Sequence, residues 1–193
     1  MQPLATRHQL LVAMVLAAVM AATRGQFDAV FTHLPGASWA VFFLAGVYLR
    51  PPWVLPLLLV EAWLLDFAAF TWGGVDDFCL TPAYLFLLPA YGALWLAGRG
   101  YARRYRLSWA TLGPLALSLV VGAAASELFS SGGFYFFSGR FAAPTMAEFI
   151  VREGKYFPPY INSLFLYVAL AAVVHIYFAL LSHAPNRGHA LRR

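Results

Sequence analysis

The side chains able to do chemistry are few, and one of them stands alone: Cys79, in the stretch TWGGVDDFCLTPAY over residues 71–84. Gly73 and Gly74 break the apolar run before it, and Pro82 sits where a following helix starts. A nucleophilic thiol needs a cation, a histidine or a helix N-terminus to lower its pKa. Asp76 and Asp77 act in the opposite sense, and His33 is the one histidine expected on the same side of the protein. One chemistry open to the chain is therefore a membrane-embedded cysteine enzyme, with Cys79, His33 and Asp66 acting on a lipid or thiol substrate.

The other chemistry is metal ligation, because coordination deprotonates a thiol whatever the neighbouring carboxylates do. A single cysteine builds no protein metal site, which takes several ligands. It can supply one axial ligand to a metal whose other positions a macrocycle already fills, as in cobalamin or haem. A thiolate on cobalt also loosens the group trans to it, which raises loss of an upper ligand such as cyanide as an accessory reaction. Three acids fall inside apolar runs, where charge is costly and usually faces an interior or a cavity. They are Glu61, Asp66 and Glu127, and Asp66 lies nearest the Cys79 connection.

Positioning these groups is the work of a membrane protein. Of the 193 residues 62% are hydrophobic and only 11% charged, against about a quarter charged in a soluble domain, and the mean hydropathy is +0.70. The length allows one domain, spanning 1–193. The net charge of +5 does not mark a nucleic-acid binder, since the basic residues sit in short connections between apolar runs. The sole lysine, Lys155, closes no phosphate-binding GxxxxGK loop, so the chain has no visible means of hydrolysing ATP.

Six apolar runs are expected to span, over residues 9–23, 36–49, 52–70, 82–98, 109–131 and 159–182. The second is short and calls for a thinned bilayer or help from 31–35. The first also resembles a secretory leader, with Arg7 and His8 ahead of an apolar stretch, but is read here as a span. With both termini in the cytoplasm, the inner segments carry Arg7, Arg50, Arg99, Arg103, Arg104, Arg106 and the C-terminal arginines, and no acid. The outer ones mix Arg24, Arg140, Arg152 and Lys155 with five acids. The positive-inside rule predicts that asymmetry, and it puts Cys79 on the outer face.

The connection 132–158 is long, aromatic and broken by Gly and Pro, which predicts a lid or pocket wall folded back over something. On the first run Ala13, Ala17 and Ala21 recur every four residues, a flat face that lets another helix approach closely.

In layout the whole chain resembles the substrate-binding S-components of energy-coupling-factor (ECF) vitamin transporters. The segment from Asp66 through Cys79 to Tyr84 is similar to their cobalamin-specific, BtuM-like branch. The resemblance implies an all-α bundle of six transmembrane helices with both termini cytoplasmic, lying in the bacterial inner membrane. It implies uptake of cobalamin, with Cys79 as axial ligand to the cobalt of the bound corrinoid and no cofactor of the protein's own. Asp66, Asp77, Phe78, Tyr84 and Arg152 would contact the vitamin. The Ala13–Ala17–Ala21 face would dock on an ECF coupling module, if one is used.

Overall fold

A computed structural model describes residues 5–24, 34–72 and 81–183. Every regular element among them is helical. In chain order these are α1 (Thr6–Arg24), α2 (Ser38–Tyr48), α3 (Val54–Trp72), a 3-10 turn (Pro82–Phe86), α4 (Leu87–Arg104), a second 3-10 turn (Trp109–Thr111) and α5 (Leu112–Glu127). A π-helical turn (Leu128–Gly132), α6 (Gly133–Phe137) and α7 (Met146–His183) follow.

Among the described residues, four helical stretches are long and apolar enough to cross a membrane: Thr6–Arg24, Val54–Trp72, Trp109–Phe137 and Met146–Leu181. Two of the six expected runs fall outside that set. Helix α2 has 11 residues, about 16 Å at helical rise, roughly half a hydrocarbon core. Helix α4 ends in Arg99, Arg103 and Arg104, which dilute its apolar character.

The short helix is the centre of the bundle. Every residue of α2 from Trp39 to Gly46 is buried, with Phe42 and Phe43 wholly so. Such burial all round belongs to a helix enclosed by others. Its closest partner is α4, and two glycines explain how close. A Cβ on Gly46 would lie 2.1 Å from the Trp95 carbonyl oxygen, and one on Gly98 the same distance from that of Phe43. Each helix therefore presents a glycine to the other's backbone. On the far side of α4, a Cβ on Gly122 of α5 would meet the Ala97 methyl at 2.8 Å. Leu16 and Met20 of α1, Leu58 and Ala62 of α3, and Leu164 and Val168 of α7 complete the core around these helices.

The connection expected to be irregular over 132–158 is mostly helix. The fifth run does not stop at 131 but passes through the π-turn into α6, and the last helix starts at Met146 rather than 159. Thr145 explains the early start. Its hydroxyl accepts the Glu148 N–H at 3.3 Å, the cap of a T-x-x-E sequence. Pro158 and Pro159 then lie inside α7, leaving the carbonyls of Gly154 and Lys155 without their helical donors. With 38 residues, α7 is about 57 Å long. That is nearly twice the thickness of a hydrocarbon core.

On α1 the exposed large apolar residues are Leu10, Leu11, Met14 and Val15. Ala13, Ala17 and Ala21 are half-buried, and Ala13 packs against the core.

Candidate functional site

At one end of the bundle, four helices and a turn converge on a single guanidinium. Arg24, the last residue of α1, donates from Nε to Asp66 Oδ1 and from Nη2 to Asp66 Oδ2, both at 2.7 Å. Its Nη1 donates to Ser38 Oγ at 2.9 Å and to the Tyr91 hydroxyl at 2.6 Å. Tyr84, in the 3-10 turn, donates its own hydroxyl to Asp66 Oδ2 at 2.6 Å. The Arg24 and Asp66 side chains are 13% and 19% exposed, so this is a largely desolvated pair in the two-pronged geometry that arginine makes with carboxylates.

Local packing holds each arm. Phe42 stacks on Tyr91, ring centroids 4.2 Å apart and nearly parallel, and Arg24 lies 5.6 Å from the Tyr91 ring centre. Thr23 accepts the Ala37 N–H at 3.2 Å while its hydroxyl donates to Val19. Tyr167 and Ser163 of α7 donate to the carbonyls of Pro35 and Gly36. The chain entering α2 is thus fixed from both sides.

Asp66 and Tyr84, two of the residues singled out from the sequence, meet here. They flank the Cys79 connection. Cys79 itself, with His33, Asp76, Asp77 and Phe78, lies outside the described residues. In the sequence Arg24 reads only as one more basic residue of an outer segment. Its pairing with Asp66 spans 42 positions, and the one signal for it was an opposite charge at the matching end of another apolar run.

Arg152 belongs to a second cluster at the same end. Its guanidinium carbon lies 4.8 Å from the Phe141 ring centre, and 5.5 and 5.6 Å from those of Tyr156 and Tyr135. The Tyr135 hydroxyl donates to Glu148 at 2.9 Å and accepts the Thr145 N–H at 3.1 Å, tying α6 to the first turn of α7. Phe137 stacks on Phe86, and Gly133 lies so close to Phe86 that a Cβ would fall 2.4 Å from its ring. The aromatic cluster therefore packs on the same 3-10 turn that carries Tyr84. Nearby, the buried Glu127 accepts from Ser131 at 2.7 Å, with Glu153 of α7 beside it. Glu61, on α3, is half-buried.

A groove of about 260 Å³ opens beside this node, between Leu59, Trp63, Tyr84, Leu88 and Tyr91. Its walls are apolar apart from the two tyrosines. Among the described residues no cluster of three or more His, Cys, Asp or Glu side chains is placed to hold a metal ion.

No protein-family model matches the chain, and no curated protein matches it.

Proposed function

We propose that the protein takes up cobalamin across a bacterial inner membrane, capturing the vitamin on the outer face with Cys79 as axial ligand to cobalt. In this reading all six helical segments cross or enter the bilayer, both termini are cytoplasmic and the Arg24–Asp66 node faces outward. The short α2 reaches across only part of the membrane, sheltered by its neighbours.

The observation that carries the reading is the hydrogen bond from Tyr84 to Asp66, secured by Arg24. It roots the chain on both sides of the Cys79 connection in one rigid platform, as a loop that presents a ligand to a metal requires. Asp66 and Tyr84 then serve chiefly to hold that platform, with Asp77, Phe78 and Arg152 nearer the vitamin. A corrin with its nucleotide tail is larger than the groove beside Tyr84, so it would lie over the platform, against the aromatic cluster of α6 and α7. Energy would come from an ECF coupling module, reached through the α1 face, or from the vitamin gradient alone.

The test is the visible spectrum of the purified protein with hydroxocobalamin. Wild type should shift the corrin bands, and Cys79→Ala should return them to those of free cobalamin. An unchanged spectrum on adding wild-type protein would remove the metal role. Uptake in a strain lacking its own importer, with and without a coupling module, tests transport.

A further inference from the structure

At the opposite, arginine-rich end lies a cavity of about 410 Å³ between α2, α5 and α7, within the roughly 300–1,000 Å³ of ligand sites. Its inner wall is apolar, with Phe43, Leu115, Val168 and Ala172. A small polar group closes one side: the Tyr105 hydroxyl lies 3.0 Å from His175 Nε2, and the Tyr48 ring packs 5.8 Å from the His175 ring. Burial, with Tyr101 beside it, raises the Tyr105 phenol above its usual value, so it stays a neutral hydroxyl at physiological pH.

The rim is of two kinds. Leu107, Trp109, Leu112 and Ile176 are all more than half exposed, so the mouth opens through a rim of exposed apolar side chains. Beside them Arg106 lines the cavity, and Arg103 and Arg104 are exposed in the last turn of α4 just before it in the chain. The sequence holds no acid between Asp77 and Glu127 to neutralise them. An apolar chamber with an apolar mouth and a cationic lip is complementary to one class of molecule: a lipid with an apolar tail and an anionic head.

We propose that this cavity is a binding site for an anionic phospholipid of the surrounding membrane. One acyl chain enters between α2, α5 and α7, and the phosphate rests on Arg106 with Arg103 and Arg104. Nothing in cobalamin capture requires this site, so the two readings stand or fall separately.

Trp109 on the rim reports occupancy. Full-length protein in phosphatidylcholine vesicles is titrated with phosphatidylglycerol brominated on one acyl chain, and separately with equally brominated phosphatidylcholine. Trp109→Phe supplies the background from the other tryptophans. The Trp109 emission should be quenched at several-fold lower mole fraction of the anionic lipid, since an arginine near the surface contributes roughly fivefold. The exposed triple variant Arg103→Ala/Arg104→Ala/Arg106→Ala should erase the preference. Ala172→Phe, which fills the chamber and leaves the arginines, should reduce quenching by the anionic lipid to the level of the neutral one. Equal quenching by both lipids in wild type overturns the proposal, as does a preference that survives either variant. The triple variant changes only exposed side chains, and thermal unfolding in detergent verifies that it is folded.

Discussion

Arg24 grips Asp66 through two nitrogens at once, each 2.7 Å from its own carboxylate oxygen, and the grip joins the last turn of α1 to α3. Breaking a largely desolvated pair from one side strands the other charge, at a cost of about 3–5 kcal/mol. Arg24→Met should therefore unfold far more readily in detergent than wild type. The double variant Arg24→Met/Asp66→Leu should recover much of the loss, because it leaves no unpaired charge. Equal stability of the single and double variants would show that the charge was never stranded.

Tyr84→Phe keeps the ring against the groove and removes only the hydroxyl on Asp66. A hydrogen bond to a charged group contributes about 1.5–3 kcal/mol, so a stability loss of that order is expected. Because Tyr84 anchors one flank of the Cys79 connection, the thiol should also react faster with a water-soluble maleimide in this variant. An unchanged labelling rate would mean that the connection is held by something else.

Glycines within α4 provide an internal control for packing. Gly98→Ala places a methyl against the Phe43 backbone, whereas Gly92 and Gly100 have nothing within 4 Å of the added Cβ. Overpacking costs about 1–3 kcal/mol or more, while alanine in place of a helical glycine with open space for the methyl gains up to about 1 kcal/mol. Gly98→Ala and Gly46→Ala should lower the unfolding temperature, and Gly92→Ala and Gly100→Ala should hold or raise it. Like effects at all four positions would deny the close approach of α2 and α4.

The Tyr135 hydroxyl both accepts from Thr145 and donates to Glu148. Tyr135→Phe should fray the first turn of α7, seen as faster amide hydrogen exchange over residues 146–150 with the exchange of α2 unchanged. Protection equal to wild type would show that the Thr145 cap suffices alone.

Apolar runs were readable one at a time, and helices α1 and α3 fall close to where composition puts them. What joins the runs was not readable. Gly46 and Gly98 look like any helix glycines until their backbones are laid together. Asp66 reads as a costly charge inside an apolar run and Arg24 as one more basic residue of an outer segment, because local patterns carry no information about partners in another helix. The start of α7 is hidden in the sequence for a different reason. Pro158 and Pro159 are ordinary punctuation, and the cap that overrides them, Thr145 with Glu148, depends on Tyr135 folding back from α6. Ala13, Ala17 and Ala21 do share one face, but part of that face is turned inward.

The two prolines within α7 leave a seam in an otherwise continuous rod. Two consecutive rungs of the backbone ladder are absent there, and a helix bends most easily where its rungs are absent. The charged stretch that begins at Met146 is braced by Tyr135, and the apolar stretch beyond the seam is braced by the chain entering α2 through Ser163 and Tyr167. A load applied to the aromatic cluster would then tilt the charged arm about residues 154–159 and leave the apolar half in place. The longest helix of the protein is, mechanically, two levers sharing one fulcrum.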